Sequence, residues 1–529
     1  MADLLYRFKD FIFIFRRSGW KVGTNGNIYY DSVNTEDSIS PEFDRSNRIV
    51  SIESRSNEDQ ISVVVNLLGS SFFFMVEIEG SLYLTNDPLQ LSLNLRSSLE
   101  INLKHLDQYI QSGYVTGTGS LFENVSSFKT GARTNFAIKN GRWVKTPDQN
   151  WIYNFGAKKN QSDLNYPSFS SFNILLDQIF RDLKIAIGDQ KVLVPLSGGF
   201  DSRLILAKLK EHQFNVDSFT YGPSYTMEAF WAKVYSRLLG VKNIRIYTNG
   251  GDDFLKNQLS RFLEIFPYFK TCPCLREFEA LSELAKVYGK NELPVIINGQ
   301  AGDYISGGHL LPSQSKSWAS SYNYYKTKHW SLWEDLSFDR FDECVKESFK
   351  TYSSSINDSL DQDYFWHWFE YHGRQSSYVI GGQHSYDFFG FRWSLPLWDY
   401  RICDFFSNLD RTVFYGQRYY KDFCHWYNYK GLFSRGFGQF LVRWNAQSVW
   451  VLLIGWTFYR FSSKKRASWY KKNRFRGYYS NQYRLIGFKR DSDLVERARG
   501  VVSFIVRYVL RDRFFDRPEV LNRLEEERL

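Results

Sequence analysis

The stretch VPLSGGFDSRLILAKL, residues 194–209, limits the fold of this 529-residue chain more than any other segment does. An apolar run ends at a Ser-Gly-Gly turn, and Asp201 and Ser202 then open a helical pattern. A buried strand that turns through glycines into a helix points free backbone N–H groups and the positive end of the helix dipole at one spot. Glycine also lets a ligand approach the backbone closely. The stretch therefore predicts a strand–turn–helix unit with an anion site at the turn.

The residue types in this turn indicate which anion it would bind. Its hydroxyls and glycines suit phosphate or pyrophosphate, and the candidate ligands are Ser197, Gly198, Gly199, Asp201 and Ser202. Asp201 would repel a phosphate unless a divalent cation bridged the two, so its presence predicts a metal ion. The chain contains no GxxxxGK[ST] motif, so the turn is not a Walker loop. The alternative is a plain strand–turn–helix with polar caps.

Strand and helix patterns alternate around this unit. Apolar strands are predicted at residues 191–196, 216–222, 244–248 and 294–299, and helices at 170–187, 203–212, 227–240 and 280–290. Alternation at this spacing is typical of a doubly wound α/β domain with a buried parallel sheet. Ligands of such domains bind at the carboxyl ends of the strands, where the glycine turn lies.

The segments on either side differ from this pattern. Residues 1–155 are mostly strand, with a hairpin expected at Glu79-Gly80 and a helix at 103–114. Helical, aromatic sequence is expected over residues 320–440. The last part holds a basic stretch, SSKKRASWYKKNRFRGYY, and a predicted amphipathic helix. The predicted domains are residues 1–155, 165–440 and 441–529, with that basic stretch at 462–479 and that helix at 492–510.

The composition excludes several classes of protein. Apolar residues make up 43% of the chain, enough for a sizeable core, so the chain is not intrinsically disordered. Five cysteines in 529 residues do not make a disulfide scaffold, and no second pair follows Cys272 and Cys274 at metal-ligand spacing. The apolar run at 449–459 is shorter than the roughly 18 residues of a membrane span. No secretory signal begins the chain, and we expect a cytoplasmic location.

The stretch PLSGGFDSR resembles the SGGxDS signature of the ATP-pyrophosphatase (PP-loop) enzymes, which split ATP into AMP and pyrophosphate. Within them, the chain is similar to the asparagine synthetase family over about residues 60–430. Further segments that carry the similarity are residues 103–144, SFTYGPSYTMEAFWAKVYSRLLG with Glu228, VIINGQAGDYISGG at 295–308, LPLWDYRICDFFSNLD at 395–410, and Lys421 in QRYYKDF.

The resemblance implies a fold, a reaction and a set of site residues. The fold would be α/β, with an N-terminal β-rich glutaminase-like domain of the Ntn type, then a doubly wound ATP-pyrophosphatase domain with helical additions. With ATP and Mg²⁺ as cofactors, a carboxylate would be adenylated, pyrophosphate would leave, and ammonia or another amine would displace AMP. The implied magnesium ligands are Asp201 and Asp303, and the implied pyrophosphate cradle is Ser197, Gly198, Gly199 and Ser202. Nucleotide contacts are implied at Ser218, Phe219, Tyr221 and Gly299. The implied catalytic residues are Lys421, Asp303 and Gln300.

Departures from the family pattern shift these expectations. The chain starts Met1-Ala2-Asp3 where glutamine-dependent members carry a nucleophilic cysteine, so we expect a degenerate glutaminase domain. Gln300 stands where the family has a glutamate that acts as a base in some members, and glutamine accepts no proton at neutral pH. Tyr304 and Arg392 also replace family glutamates. These changes predict a shifted acceptor with a retained ATP site.

Several alternatives stay open at this point. The acceptor is a small-molecule carboxylate such as aspartate, a uronic acid of a glycan, or a peptide, and a separate glutaminase is one source of ammonia. A catalytically impaired, nucleotide-binding regulatory protein is the second hypothesis. A tRNA-modifying enzyme is the third, suggested by the net charge of +10, although we expect no nucleic-acid partner. The apolar run beside basic residues at 449–466 indicates either a buried helix or peripheral membrane association.

Overall fold

The computed structural model shows a mixed α/β fold. The residues it describes are 4–8, 11–15, 20–22, 28–31, 48–54, 60–69, 73–139, 142–146, 149–151, 166–222, 226–289, 292–310, 317–354, 362–409, 411–434, 456–457, 480–487 and 492–529. Within these ranges the strands form three sheets, and only the third is wholly parallel.

The first two sheets take their strands from the first 151 residues, as the β-rich pattern there predicts. Their strands are β1 (Leu4–Phe8), β2 (Phe11–Phe15), β3 (Trp20–Val22), β4 (Ile28–Asp31), β5 (Arg48–Ser54), β6 (Gln60–Val65), β7 (Phe74–Ile78), β8 (Ser81–Thr85), β9 (Val125–Ser127), β10 (Ala132–Lys139), β11 (Arg142–Lys145) and β12 (Gln149–Trp151). The strand order is β1-β2-β8-β7-β9 in one sheet and β11-β10-β6-β5-β4-β3 in the other, where β12 also pairs with β10.

Two local predictions in this part are confirmed. Strands β7 and β8 form the expected hairpin, and Glu79 and Gly80 between them have φ angles of 51° and 73°. Two consecutive positive φ angles are what a tight two-residue hairpin turn requires. The predicted helix after it is α2 (Leu103–Ser112), which follows α1 (Pro88–Leu95). Asn102 caps α2 at its start, and Gly113 ends it with a φ of 88°.

The third sheet confirms the predicted parallel sheet and its alternation with helices. Its strands are β13 (Val192–Pro195), β14 (Val216–Gly222), β15 (Asn243–Tyr247), β16 (Val295–Ile297) and β17 (Trp393–Ser394), in the order β15-β14-β13-β16-β17. Helix α3 (Phe169–Ile187) precedes this sheet, and the helices between β13 and β16 are α4 (Phe200–Glu211), α5 (Met227–Leu239), α6 (Asp253–Ile265) and α7 (Phe278–Tyr288). The chain passes from β13 outward to β15 and then returns to β16 on the other side of β13. The crevice between β13 and β16 is therefore a topological switch point, where open α/β sheets bind ligands.

Helices dominate the rest of the described chain. They are α8 (Gly302–Ile305), α9 (Trp318–His329), α10 (Phe341–Ser354), α11 (Gln362–Glu370), a π-helix (Tyr371–Val379), α12 (His384–Phe389), α13 (Tyr400–Ser407), α14 (Arg411–Phe414), α15 (Arg418–Tyr427), α16 (Ser480–Leu485), α17 (Ser492–Arg497), α18 (Val501–Arg513) and α19 (Pro518–Glu526), with short 3₁₀ turns at Pro396–Trp398, Tyr415–Gln417 and Tyr429–Gly431. The predicted helical character of residues 320–440 is thus confirmed where the structure describes it.

The prediction of one helix over residues 492–510 is wrong. The segment forms α17 and α18, with a break between them at Ala498–Gly500. The backbone there pairs with another segment, since Arg499 N donates to Leu332 O and Ala498 bridges Trp333. A long-range contact therefore takes the hydrogen bonds that a continuous helix would have made.

Three predicted features fall on other parts of the chain. The basic stretch at 462–479 and the first residues, Met1 to Asp3, lie outside the described residues, and so does the apolar run at 449–459 apart from Trp456 and Thr457. Among the helices that the structure describes, none has the length and apolar character needed to cross a membrane.

Candidate active site

The glycine turn after β13 is closed by its own serines. Ser202 Oγ accepts a hydrogen bond from Ser197 N at 3.1 Å and lies 3.0 Å from Ser197 Oγ. Gly199 N donates to Ser197 Oγ at 3.1 Å. Gly198 completes the turn, and α4 begins directly after Gly199. The predicted cradle residues therefore form one unit, with backbone N–H groups and two hydroxyls at the start of a helix.

Arg203 holds this turn in place, a role that the sequence analysis did not assign. Its side chain is almost fully buried, and its Nε donates to Gly199 O at 3.1 Å. Its Nη1 donates to Leu432 O at 2.6 Å, and the guanidinium packs on the rings of Phe200 and Phe433. The only signal in the sequence is the position of this arginine, directly after the SGGFDS run.

Glycines bring the loop after β16 against the glycine turn. A Cβ on Gly299 would lie 2.8 Å from the backbone carbon of Asp201 and 2.9 Å from Ser202 N. A Cβ on Gly302 would lie 2.8 Å from Asp201 Cγ. Real Cβ atoms do not come this close to fixed atoms, so only glycine allows the two loops to meet. Asp303 N consequently reaches Asp201 Oδ2, to which it donates at 3.2 Å.

The two carboxylates that face each other here have unusual electrostatics. Burial and the negative charge of Asp303 raise the pKa of Asp201 to about 7. Burial also acts to raise the pKa of Asp303, but a hydrogen bond and the charge of His309, with the Tyr304 amide, hold that pKa below its usual value. The ionised form of Asp201 is thus destabilised, and the ionised form of Asp303 is stabilised. A cation between them would relieve the repulsion.

His309 joins this pair to a deeply buried carboxylate, and neither His309 nor Glu370 was foreseen. His309 Nε2 lies 3.2 Å from Asp303 Oδ2, and His309 Nδ1 lies 2.5 Å from Glu370 Oε1. Burial opposes protonation of His309, but the charges and hydrogen bonds of both carboxylates raise its pKa to about 9. Burial also opposes ionisation of Glu370, yet the facing His309 charge holds the pKa of Glu370 well below its usual range. His309 is therefore a cation at neutral pH.

The side-chain amide of Gln300, in the loop after β16, is hydrogen-bonded at both ends. Its Nε2 donates to Val379 O at 3.1 Å, and its Oε1 accepts from Gln383 Nε2 at 2.7 Å. Its backbone N donates to Asn298 Oδ1 at 3.0 Å, and Asn298 in turn donates to Tyr386 Oη. Because both ends of this side chain are paired, Gln300 links the loop after β16 to Val379 and Gln383.

A further carboxylate, that of Glu277, is hydrogen-bonded to Tyr386 and so joins the network of Gln300 and Asn298. Tyr386 Oη donates to Glu277 Oε2, and Tyr221 Oη donates to Glu277 Oε1 at 3.3 Å. Burial raises the pKa of Glu277, while the hydrogen bonds from the tyrosines act to lower it. Glu277 was not among the predicted site residues, and nothing in its local sequence marks it.

Lys421 occupies α15, close to the loop after β16. Its Nζ donates to Gly416 O at 2.7 Å, and Gly416 N donates to Gly307 O. Gln417 Nε2 also donates to Ser306 Oγ at 2.9 Å. The segment that carries Lys421 is therefore docked on the loop of Asp303. The neighbouring Tyr420 is buried, and its hydroxyl lies near enough to Asp201 to affect the pKa of both groups.

The remaining predicted residues lie around the sheet. Phe219 is fully buried, and its backbone carbonyl accepts a hydrogen bond from Leu196 N within the sheet. Ser218 is also buried, and its hydroxyl lies 3.0 Å from Ser236 Oγ. Tyr221 stands at the carboxyl end of β14 and is partly exposed. Tyr304 points into the core, where it stacks on His367 with ring centroids 4.4 Å apart.

One more cluster has donors at metal-ligand spacing: Asp177, Glu211 and His212. Lys208, whose side chain is fully buried, donates to Asp177 Oδ1 and Glu211 Oε2 at 2.7 Å each. The ammonium group of Lys208 is already paired with both carboxylates of this cluster, so we assign no metal to it.

Comparison with known proteins supports a family for the central part of the chain. Residues 183–421 match the family model described as asparagine synthase. This match assigns an asparagine synthase domain to the segment that runs from α3 to Lys421. It includes the glycine turn and the loop of Asp303.

Other comparisons add little. No curated protein matches the chain. Among solved structures, the chain is similar to a glutamine-dependent NAD⁺ synthetase from Acinetobacter baumannii in complex with ADP, at 13% identity over 61% of this chain and 78% of that chain. The TM-score of 0.21 is too low for this likeness to support a conclusion.

The residues present fit a magnesium ion and a nucleotide. The donors at Asp201 and Asp303 are carboxylate oxygens, which Mg²⁺ prefers, and the raised pKa of Asp201 indicates a charge that a cation would balance. Each carboxylate accepts bonds from protein donors and keeps further lone pairs. The glycine turn offers N–H groups at the start of α4, where phosphate oxygens bind well.

Proposed function

We propose that this protein is an ATP-dependent amide ligase that forms AMP and pyrophosphate. The observation that carries the proposal is the meeting of Asp201 and Asp303 beside the glycine turn, inside the segment that matches the asparagine synthase model. A nucleotide-binding protein that only senses ATP would need the turn, but it would not need a second carboxylate facing the first. Two facing carboxylates can hold a divalent cation, and a cation there would stabilise the negative charge that develops when pyrophosphate leaves.

The chemistry takes place in two steps. An acceptor carboxylate oxygen attacks the α-phosphorus of ATP, and the bond between that phosphorus and the bridging oxygen of pyrophosphate breaks. An amine nitrogen then attacks the acyl carbon, AMP leaves with the bonding electrons, and the proton of the amine passes to the phosphate of the departing AMP or to water. Mg²⁺, held by Asp201 and Asp303, would neutralise charge on the phosphates.

The chain itself would mainly position the reactants. Ser197, Gly198, Gly199 and Ser202 would donate to pyrophosphate oxygens, with the turn fixed by Arg203. Lys421 would leave Gly416 O and turn its ammonium toward the α-phosphate. These roles need small movements of side chains on an otherwise preformed edge of the sheet.

We call the surroundings of the glycine turn, Asp303 and Lys421 the phosphate side of the site, and the surroundings of Gln300 the acceptor side. The two sides differ in the groups that can take up a proton. Gln300 cannot accept the amine proton, and both ends of its amide are paired. Glu277 is the carboxylate nearest to this network in hydrogen-bond terms, through Tyr386 and Asn298. An amine that reaches the site already neutral, such as ammonia, would need no strong base. We therefore propose ammonia or a weakly basic amine as the nucleophile.

The experiment is release of pyrophosphate and AMP from ATP by the purified full chain. The panel of acceptors would contain aspartate, nucleotide-linked uronic acids and short peptides, each with ammonium or glutamine. Asp201→Ala should abolish release. Asp253→Ala is the matched control, because Asp253 also lies in the first turn of a helix but its side chain is 96% exposed.

Two outcomes would overturn the ligase assignment. One is ATP binding that Asp201→Ala abolishes, with no AMP formed with any acceptor. That result would favour the second candidate, a nucleotide-binding regulatory protein, which the replacement at Gln300 supports. The other is release of ADP and phosphate in place of AMP and pyrophosphate, since the attack would then occur at the γ-phosphorus.

A further inference from the structure

A chain of three side chains runs from the interior of the protein to the proposed metal site. Glu370 lies at its inner end with a side chain that is fully buried, and His309, 16% exposed, lies in the middle. Asp303 lies at the outer end, where its side chain is 54% exposed. The ring of His309 spans the two carboxylates, with one nitrogen 2.5 Å from Glu370 Oε1 and the other 3.2 Å from Asp303 Oδ2.

The inner end of this chain is rigidly held. Glu370 is the last residue of α11, and Gln375 Nε2 in the following π-helix donates to Glu370 Oε1 at 2.8 Å. The Arg374 guanidinium lies 3.9 Å from the same oxygen. A buried carboxylate with these partners has little freedom to move, so it fixes the ring plane of His309.

The outer end has fewer contacts with the residues that the structure describes. Among them, Asp303 Oδ1 accepts from the amide of the next residue, Tyr304, at 2.9 Å. Asp303 sits in the short helix α8, and more than half of its side chain faces solvent. Among the described residues, the hydrogen bond from His309 is the contact that selects the direction in which Oδ2 points.

We infer that Glu370 and His309 are positioning residues that orient Asp303 for metal binding. This inference rests on the proposed function, because it takes Asp303 as a magnesium ligand. Outer-shell partners of metal ligands commonly fix the orientation of the ligand and change metal affinity by about 10–100-fold. His309 leaves lone pairs on both oxygens of Asp303, so it orients the ligand without occupying it.

The test is Mn²⁺ binding to the full chain, measured as free Mn²⁺ by electron paramagnetic resonance in the presence of α,β-methylene-ATP. His309→Asn places its amide near the position of Nδ1, facing Glu370, and leaves Asp303 without its donor. His309→Gln places its amide near Nε2 and keeps that donor. We expect His309→Asn to weaken Mn²⁺ binding about tenfold and His309→Gln to weaken it less than threefold.

Three controls separate a positioning role from a structural one. His212→Asn should not change Mn²⁺ binding, although His212 is also paired with a carboxylate and is 15% exposed. Binding of the analogue in EDTA and the unfolding temperature should stay unchanged in His309→Asn. Asp303→Asn should remove most of the Mn²⁺ affinity.

The outcomes are distinguishable. Equal Mn²⁺ affinity in His309→Asn and the unaltered protein, together with a large loss in Asp303→Asn, would overturn the inference and leave the proposed function standing. Unchanged Mn²⁺ affinity in both Asp201→Asn and Asp303→Asn would overturn the metal site and the inference together. Equal losses in His309→Asn and His309→Gln would also contradict an orienting hydrogen bond.

Discussion

The loop after β13 and the loop after β16 both present a carboxylate to the same crevice, but different kinds of contact hold them. The first is closed mainly by bonds between residues at most five positions apart, such as Ser197 with Ser202 and Arg203 with Gly199, and Leu432 is a distant partner of Arg203. In the second, the side chains of Gln300 and His309 are paired with the distant residues Gln383 and Glu370. The first loop is therefore determined mainly by its own sequence, whereas the second depends more on the rest of the fold.

This difference bears on the two halves of the proposed reaction, although Asp303 of the second loop lies with the first loop on the phosphate side. The phosphate side keeps the residue types that the resemblance implies at Ser197, Asp201 and Asp303. On the acceptor side, Gln300 stands where the resemblance implies a glutamate, and its amide is bound by Val379 in the π-helix and by Gln383 after it. If the proposed function holds, the site would keep the ATP-binding residues that the resemblance implies and differ on the acceptor side. The following changes test each side separately.

The largest effect is expected from Asp201→Asn, which changes the phosphate side alone. The substitution removes one of two carboxylates that would hold the cation, and groups that stabilise transition-state charge are worth about 10²–10³-fold in turnover. We expect a loss of this size in pyrophosphate release with every acceptor that supports activity. A loss confined to one acceptor would show that Asp201 belongs to the acceptor side.

Gly299→Ala should have the next largest effect, because it drives the two loops apart. The new Cβ would lie 2.8 Å from the backbone of Asp201, and overpacking of this kind costs about 1–3 kcal/mol. We expect a lower midpoint in denaturant unfolding and weaker ATP binding. The control is Gly251→Ala, since the nearest atom to its Cβ would be 3.7 Å away. Equal stability of the two variants would contradict the close contact.

Which features could be predicted from the sequence depends on the same distinction between local and distant contacts. The glycine turn, four of the five strands of the parallel sheet and the hairpin at Glu79-Gly80 were predictable because each depends on neighbouring residues, whereas the two-residue strand β17 was missed. The pairing of His309 with Glu370 was not, since 61 positions separate them and neither has a local signature. The break between α17 and α18 was missed for the same reason, because residues near Leu332 supply the competing backbone contact. Helix α6 was overlooked although its pattern is local.

The pH dependence of stability tests the repulsion on the phosphate side. The pKa of Asp201 is raised to about 7 in the folded protein, so between about pH 4 and 7 the folded state binds a proton that the unfolded state has released. In EDTA, the unaltered protein should therefore lose stability relative to Asp201→Asn as pH rises through this range, by at most about 1.4 kcal/mol per pH unit. Denaturant titrations of both proteins at pH 5, 6 and 7 measure this difference, in which the contributions of the buried histidines cancel. A slope that Asp201→Asn leaves unchanged would assign the proton to another group.

The smallest effect is expected from Gln300→Glu, which changes the acceptor side alone and restores the family residue. The carboxylate would still accept from Gln383 Nε2, but it would face Val379 O, where the amide now donates. Loss of one such bond costs about 1 kcal/mol, so unfolding measurements should show a modest decrease in stability. We expect no gain in amide formation, because the acceptor side is built around the paired amide and not around a base. Faster turnover at unchanged ATP affinity would show that the absence of the glutamate limits the reaction. The two loops would then differ in their hydrogen bonds more than in the chemistry they can support.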